Sequence, residues 1–489
     1  MKKFIFIFLL LNQFAFANFN MNKNMQKAYY HIVNLEFEKA LILLEIEEYQ
    51  NPNNGFILSH KNYIDFLTIL ITEDYDYFDS RESLKHIRLD MLDNNDKTSP
   101  YYLYLKAEVN LQWAISRLKF KQYPTAAYEL VKAYKLLEEN QIKFPEFTLN
   151  NKCLGLIHVL LASVPNDFHW ILNLIGLKGN FDIGIREIDI VLNDDRFLMY
   201  KSEALFLLSF LQINLGNDDS LCQKYLDMIG DKYKYNVLLN FAAARLSHNL
   251  GKNDYCLSIL KNRPNNNRSI HFHYLDYLQG MSYLYKLDFK NANQKFDSFV
   301  KNFNGKNYLK SANHKLAWIA FLQDNIEMKR KYFSRVLSKG DIAIDEDKIA
   351  LKEAKIDYIS HPILLKTRLL YDGGYYHKAL IEIEQIDISL FSNNTENVIE
   401  YWYRLARVKS KLDDSDEVIE YYKKALKKGK NSSSYYAPMS ALQLGFIYQR
   451  NGNNLQSRFY FNKCLSMSGF DYQRGIHQKA KFALARVKD

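Results

Sequence analysis

Apolar residues recur along most of the chain at intervals of three and four, which is the spacing of one face of an α-helix. The pattern is clearest in residues 273–299, where two such stretches are separated by the turn residues Leu287 and Asp288. Small residues would let two helices approach closely here, and aromatic residues would fill the space between them. The stretch therefore predicts a helix hairpin whose packing residues are Gly280, Tyr283, Ala292, Phe296 and Phe299.

Further hairpins are predicted on both sides of this one. An early hairpin lies just after the first 17 residues, with its turn and second helix starting at Leu35. Another hairpin occupies residues 101–139, where Pro124 suits the first turn of a helix. From about residue 199 the hairpins become regular. The last three keep one register, because equivalent positions recur at intervals of 39 residues at Ala379, Val418 and Ser457.

This recurring alternation of small and aromatic positions resembles a tetratricopeptide repeat. The resemblance implies an all-α fold, a right-handed superhelical solenoid of antiparallel helix hairpins with a less regular helical N-terminal part. We expect the less regular region at 18–195, the solenoid at 196–470 and a capping helix at 471–489.

Residues 144–188 depart from the repeat pattern. This segment is similar to part of the eukaryotic inclusion-body-clearance group of tetratricopeptide proteins, which is associated with lipid-droplet or inclusion handling. The resemblance assigns no functional residue. An enzyme would need a cluster of polar side chains in this irregular region, around His158, His169 and Glu187.

The first 17 residues predict a secretory signal peptide. Lys2 and Lys3 precede an apolar run that ends in Ala15-Phe16-Ala17, a small-residue cleavage site, and the run is too short for a membrane span. Abundant Lys, Asn, Ile and Tyr suggest a bacterial source. We therefore expect export to the periplasm or the cell exterior, with a mature chain that begins near Asn18.

The chain carries a formal net charge of +10, which falls to +8 without Lys2 and Lys3. A basic surface suits acidic proteins or anionic lipid. Because we expect export, a nucleic acid partner is not predicted. The four cysteines are too scattered for a disulfide framework or a metal site, although Cys222 and Cys256 occupy nearly equivalent places in consecutive hairpins and could form a disulfide.

No catalytic or cofactor-binding motif is found in the sequence, so an enzyme, a cofactor and a metal are not predicted. Gly176 and Gly179 lack the context of a phosphate-binding loop, and His271, His273 and Asp276 lack a further ligand. The carboxylates of residues 413–416 fall where a helix cap is expected.

The sequence therefore favours a protein that binds a partner through the shape of its surface. In the resembled family, first helices of successive hairpins line a concave groove, and tyrosine with arginine there would suit an acidic or C-terminal peptide. The alternative is that the tyrosines only pack one repeat on the next. The predicted groove residues are Tyr274, Tyr277, Met281, Tyr285, Leu364, Arg368, Tyr371, Tyr403, Arg407, Lys411, Phe446 and Arg450.

A run of lysines ends one of the predicted second helices. Cations at this place favour the helix dipole, and they could also contact an anionic membrane surface. The lysines are Lys423, Lys424, Lys427, Lys428 and Lys430.

Overall fold

A computed structural model describes residues 19–163, 178–216, 218–264, 270–391, 394–413 and 416–487. Within these ranges every regular element is a helix, which confirms the prediction of an all-α fold. The predicted signal peptide at 1–17 and His169 lie outside the described residues. No helix in the described ranges is long and apolar enough to cross a membrane.

The α-helices are α1 (Lys23–Val33), α2 (Phe37–Gln50), α3 (Gly55–Thr72), α4 (Tyr75–Leu92), α5 (Pro100–Lys119), α6 (Tyr123–Lys143), α7 (Asn150–Ala162), α8 (Phe181–Asn193), α9 (Lys201–Leu215), α10 (Asp219–Ile229), α11 (Val237–Asn249), α12 (Asn253–Lys261), α13 (Tyr274–Tyr285), α14 (Phe289–Asn302), α15 (Leu309–Leu322), α16 (Ile326–Ser338), α17 (Asp345–Lys355), α18 (Pro362–Asp372), α19 (Tyr376–Ile383), α20 (Thr395–Leu412), α21 (Asp416–Lys428), α22 (Tyr436–Arg450), α23 (Asn454–Leu465) and α24 (Gln473–Arg486). Short 3₁₀ turns occupy Asp195–Tyr200, Gly230–Lys234 and Ile388–Phe391.

The chain divides into two compact units. The N-terminal unit comprises Met1–Leu211, Tyr235–Leu239 and Pro264–His271, and the C-terminal unit comprises Gln212–Lys234, Asn240–Arg263 and Phe272–Asp489. The predicted boundaries at 195 and 470 remain predictions.

One three-residue turn recurs between the two helices of a hairpin. Its middle residue has a left-handed backbone, with φ between 56° and 81°, a conformation that costs little only for glycine. Three of these middle residues are glycines and four carry side chains. They are Leu35, Lys121, Gly251, Leu287, Asp324, Gly374 and Gly452.

Hydrogen bonds around each turn explain why it is stable. The last turn residue donates its N–H to the carbonyl five residues earlier, as Asp288 does to Tyr283 at 2.9 Å. This is the bond that closes a Schellman motif. The Asp288 side chain then accepts from Asn291 N at 3.2 Å and caps the following helix. Each turn thus ends one helix and starts its antiparallel partner.

Small residues meet aromatic rings where the two helices of a hairpin cross. A Cβ atom added to Gly280 would lie 2.9 Å from the ring of Phe296, which is fully buried. Gly445 meets the buried ring of Phe461 in the same way. These contacts match the packing that the sequence predicts for residues 273–299.

Two hairpins of the C-terminal unit also meet although they are far apart in sequence. The Tyr375 hydroxyl accepts from the Asn253 amide at 3.0 Å and donates to Asp254 at 2.9 Å, and Asn253 and Tyr375 are 122 positions apart. A side chain on Gly374 would overlap the backbone of Gly251. The turn of α11 and α12 therefore touches the turn of α18 and α19.

A buried ionic network joins helices of the N-terminal unit. The Lys152 ammonium donates to Glu108 and Glu203, both at 2.7 Å, and 3 % of its side chain is exposed. Tyr63 donates to Glu203 at 2.8 Å, and Tyr29 also binds this carboxylate. Burial alone would lower the pKa of Lys152, but the two carboxylates more than offset it and raise that pKa. Every charge in the network has a partner.

All four cysteines are buried and none forms a disulfide. Cys222 faces the Asn249 amide at 3.4 Å, while Cys256 faces the Ser282 hydroxyl at 3.4 Å. The considered pairing of Cys222 with Cys256 is therefore not formed.

Replacement of glycine by alanine should have opposite effects at a crossing glycine and at a glycine with open space around it. Gly445→Ala should lower the free energy of unfolding by about 1–3 kcal/mol, because the new methyl group overpacks against Phe461. Gly475→Ala should raise it by about 0.5–1 kcal/mol, because Gly475 lies in α24 with open space around it. Urea denaturation measures both, and equal effects would contradict the packing described.

Lys152→Met should lower the free energy of unfolding by about 3–5 kcal/mol, because it leaves two buried carboxylates without a cation. Lys143→Met is the control, since Lys143 pairs with Glu139 at 2.6 Å with about half of each side chain exposed. We expect a change below about 1 kcal/mol there. A small effect at Lys152 in urea denaturation would show that the network is not a stabilising centre.

Candidate functional site

A cavity of about 350 Å³ lies within the C-terminal unit. Its wall is built mostly from first helices of hairpins, namely α11, α13, α15 and α18. Residues of α17 and the side chains of Ile213, Tyr308 and Tyr472 complete it. This volume is at the lower end of those of ligand pockets. It suits one side chain or a chain end better than a long extended segment.

Tyrosines form one wall of the cavity. The ring centroid of Tyr274 is 5.5 Å from that of Tyr277 and 4.5 Å from that of Tyr308. The Tyr277 hydroxyl forms a hydrogen bond with the Ser311 hydroxyl at 2.8 Å, and the Tyr277 ring also packs against Phe296. The tyrosines thus serve both as inter-repeat packing and as the cavity lining.

Three cations line the cavity, and they differ in how well they are paired. Arg245 donates to the Tyr274 hydroxyl at 2.9 Å. Arg368 has one carboxylate at the edge of ion-pair range, with Asp372 at 3.7 Å. Lys315 has neither a hydrogen bond nor an ion pair among the described residues, although only 9 % of the residue is exposed.

The indole ring of Trp318 lies next to the Lys315 ammonium and partly compensates for the absence of an anion there. The Nζ atom lies 3.4 Å from the ring centroid of Trp318, and the guanidinium carbon of Arg368 lies 5.1 Å from the same centroid. Burial, reinforced by the charge of Arg368, lowers the pKa of Lys315 to about 7. The Lys315 side chain therefore loses its proton more readily than an ordinary lysine does.

The histidines of the lining are held neutral. His314 lies 2.7 Å from a carboxylate oxygen of Glu353, and since a carboxylate only accepts, the His314 Nε2–H donates. Burial lowers the pKa of His314 despite this bond. Burial, aided by Arg245, lowers the pKa of His248 to about 4.

Five of the predicted groove residues line this cavity. They come from two helices, α13 and α18, and one of them, Tyr277, is almost fully buried. Binding of a ligand by these residues remains a prediction. They are Tyr274, Tyr277, Met281, Tyr285 and Arg368.

Two more predicted residues, Tyr371 and Arg407, contact each other near Asp372. The guanidinium carbon of Arg407 lies 3.9 Å from the ring centroid of Tyr371, and Arg407 is 3.4 Å from Asp372. Asp372 therefore lies between Arg368 and Arg407. Lys411 and Arg450 are exposed, and Phe446 is half-buried against Phe461.

The predicted set needs correcting at Leu364 and Tyr403. Both side chains are almost completely buried, Leu364 against Ile383 and Phe391, and Tyr403 in the core that includes Tyr422. A ligand could reach them only if these cores opened. Their packing explains the helical spacing that placed them in the predicted groove.

A register rule would have found residues that the sequence prediction missed. In several first helices a cavity-lining residue directly follows the small or short residue at a hairpin crossing, as Met281 follows Gly280 and Arg368 follows Thr367. The same offset in α11 and α15 selects Arg245 after Ala244 and Trp318 after Ala317. Lys315 then lies one helical turn before Trp318.

The other sequence candidates have structural explanations. His158 and Glu187 do come together, at 2.6 Å, where Gly155 and Gly184 let α7 and α8 approach closely. Asp276 accepts from Arg263 at 2.7 Å, so a cation already neutralises this carboxylate. Residues 176–177 and 414–415 lie outside the described ranges.

Two lysines of the run in α21 contact other side chains of the protein. Lys423 pairs with Glu420 at 2.9 Å, and Lys424 lies 4.3 Å from the ring centroid of Trp402. Contact with an anionic membrane remains a prediction.

Comparison with known protein families agrees with the hairpin architecture. A family model described as Iml2/Tetratricopeptide repeat protein 39 matches residues 148–305, and one described as Tetratricopeptide repeat matches residues 399–427 and 440–470. These matches confirm the predicted repeats and the likeness of the irregular segment to a particular tetratricopeptide group. No curated protein matches the chain.

Two solved structures of low identity are similar to the chain. The APC/C hetero-tetramer Cut9-Hcn1 is 11 % identical over 96 % of this chain and 97 % of that chain, with a TM-score of 0.29. The human IFIT1 dimer with PPP-AAAA is 15 % identical over 92 % of this chain and 96 % of that chain, with a TM-score of 0.34.

The unpaired ammonium in the cavity predicts that Lys315→Met stabilises the protein. In the folded state the pKa of Lys315 lies below its unfolded value, so its charge is destabilising below pH 7 and that cost disappears as the pH rises toward 10. The stability gain should therefore be more than about 1 kcal/mol larger at pH 6 than at pH 9, since one pKa unit corresponds to about 1.4 kcal/mol.

Urea denaturation at both pH values measures this difference. Lys411→Met, at an exposed position in α20, is the control and should show no such pH dependence. A gain at Lys315 that does not change with pH would show that the ammonium is not held in a destabilised charged state.

Proposed function

Because the chain carries tetratricopeptide repeats and an Iml2-like segment, we propose that it is a non-catalytic scaffold that binds a protein or peptide partner in the cavity of its C-terminal unit. Repeats of this type support a protein-interaction role. The single observation that carries the site assignment is the cavity itself, which first helices of successive hairpins line with tyrosines and under-paired cations.

The chemistry of the lining favours an acidic partner. Aromatic rings offer contact area at low entropic cost, while guanidinium groups recognise carboxylates through paired hydrogen bonds. With a volume of about 350 Å³, the cavity suits the end of a chain or a single inserted side chain. We therefore expect contact with a short segment of the partner.

The proposal also includes export, with a role in envelope assembly or maintenance. Its support is the basic and apolar pattern of residues 1–17. Intact-mass measurement of protein purified from its own cells tests this. A chain that begins near Asn18 is expected, and retention of Met1–Ala17 would contradict export.

Photo-crosslinking tests the binding site. A benzophenone amino acid in place of Tyr285, in the cavity lining, should attach to one partner, and mass spectrometry of the product should map the link to an acidic or C-terminal segment. The same amino acid in place of Gln294, exposed on α14 of the same hairpin, is the control and should not attach to that segment.

Two variants that each add one negative charge then test where the partner binds. Met281→Glu places a carboxylate among the cavity cations and should reduce capture of the partner at least tenfold, whereas Gln294→Glu should leave it unchanged. Equal capture by both variants would move partner binding away from the cavity.

A further inference from the structure

Lys315 differs from the other buried lysines that the structure describes. The Lys152 ammonium donates to two carboxylates, and the Lys85 ammonium pairs with Glu129 at 2.5 Å. The Lys310 ammonium donates to a backbone carbonyl at 2.6 Å. Lys315 is also buried, with 9 % of the residue exposed, yet within the described ranges no hydrogen bond or ion pair satisfies it. Burial of this kind penalises the ammonium relative to the neutral amine.

Two cations share one indole ring at this place. The Lys315 Nζ atom lies 3.4 Å from the ring centroid of Trp318, and the guanidinium carbon of Arg368 lies 5.1 Å from the same centroid. A guanidinium does not give up its proton in proteins, so the repulsion between the two groups is relieved when Lys315 is a neutral amine. The lowered pKa of Lys315 agrees with this geometry. A desolvated lysine next to a second cation is the arrangement that makes an amine nucleophilic.

The cavity beside this amine has aromatic walls. Lys315 and Trp318 both line it, and tyrosines of α13 form another part of its wall. The rings of Tyr274 and Tyr277 are stacked, with 5.5 Å between their centroids and 15° between their planes. Such rings bind a further aromatic ring through offset or edge contacts. With a volume of about 350 Å³, the cavity suits a small aromatic molecule.

We propose that Lys315 forms a reversible imine with a small aromatic aldehyde that binds in this cavity. The nitrogen lone pair of the amine attacks the carbonyl carbon, and the two N–H hydrogens leave with the carbonyl oxygen as water. A C=N double bond then joins the ligand to Lys315, and no oxidant or reductant takes part. This inference goes beyond the proposed function, because its ligand is a small molecule and not a protein partner.

The charges around Lys315 favour this product. Three carboxylates act on Lys315 electrostatically, those of Glu346, Glu353 and Asp372, but among the described residues none forms an ion pair with it. An imine is neutral, so its formation removes the cost of an unpaired buried charge. The charge of Arg368 disfavours a protonated imine as it disfavours the ammonium. We therefore expect the neutral imine.

The surroundings of the amine favour an aldehyde over a ketone. The Trp318 ring covers one side of the Lys315 nitrogen at 3.4 Å, so the carbonyl carbon has to approach from the cavity side. An aldehyde carries a hydrogen where a ketone carries a second carbon substituent. It therefore needs less space at the carbon that Lys315 attacks.

Reductive trapping on the full chain tests the proposal. The protein is incubated with benzaldehyde and sodium cyanoborohydride, which reduces the imine to a stable benzylamine, and peptide mass spectrometry gives the benzylated fraction at each lysine. Lys424 is the matched control, since it also lies beside an indole, 4.3 Å from the ring centroid of Trp402, but is exposed on α21. Labelling of Lys315 should be at least tenfold faster than that of Lys424 at pH 7. Labelling at equal rates would overturn the proposal.

The dependence on concentration separates binding in the cavity from reaction at the surface. As the benzaldehyde concentration rises, the labelling rate of Lys315 should reach a plateau, whereas that of Lys424 should rise in proportion. Benzyl alcohol has the same ring without the carbonyl group, so it should slow labelling at Lys315 alone. Butanal lacks the ring, and with it the preference for Lys315 over Lys424 should fall at least threefold. A rate at Lys315 without a plateau, or an equal preference with butanal, contradicts an aromatic aldehyde site.

Two variants test the roles of the two cations. Lys315→Arg keeps the positive charge but provides no amine, so the labelling that reaches a plateau should disappear while Lys424 reacts as before. Its persistence would assign the reaction to another residue and overturn the proposal. Arg368→Gln should slow labelling of Lys315 at least threefold, because the amine is then protonated more readily. Unchanged or faster labelling would show that Arg368 does not activate Lys315. Circular dichroism of each variant checks that the helices are retained.

Discussion

The hairpin architecture depends on a backbone constraint, a three-residue turn whose middle residue is left-handed. At Leu35, Lys121, Leu287 and Asp324 that conformation is adopted by residues with side chains, at a cost of roughly 1–2 kcal/mol each. The hydrogen bond from the last turn residue to a carbonyl five residues earlier offsets part of that cost. Because the turn is the same each time, the first helices of α13–α14 and α15–α16 present equivalent faces. These faces form part of the cavity wall.

The hairpins could be predicted from sequence because their signals are local. Gly280 with Phe296, and Gly445 with Phe461, lie within one hairpin, so helical spacing reveals them. The turn at Leu287 and Asp288 could be predicted, but its left-handed backbone could not, because only a glycine at the middle position would indicate that conformation. Leu364 and Tyr403 had the expected spacing, but spacing alone does not distinguish a residue that faces the cavity from one that packs in the core.

The chemistry of the cavity could not be predicted, because it depends on contacts between hairpins. Lys315 and Arg368 belong to different repeats and meet only at Trp318. A comparison with Lys152 makes the point clearer. Both are buried lysines in helices without a distinctive local motif, yet one has two carboxylate partners and the other has none. Structures tolerate an unfavourable local arrangement most often where function requires it.

The contact between the turns at Gly251 and Gly374 distinguishes the C-terminal unit from an ordinary repeat array, in which each repeat touches only its neighbours. Single hairpins involve short loops and can form early, whereas this contact joins residues 122 positions apart and must overcome a larger loss of chain entropy. We therefore expect the wall of the cavity to be completed late in folding. A chain still under synthesis that ends before α18 lacks Arg368, so recognition of a ligand in the cavity would have to await the synthesis of that helix.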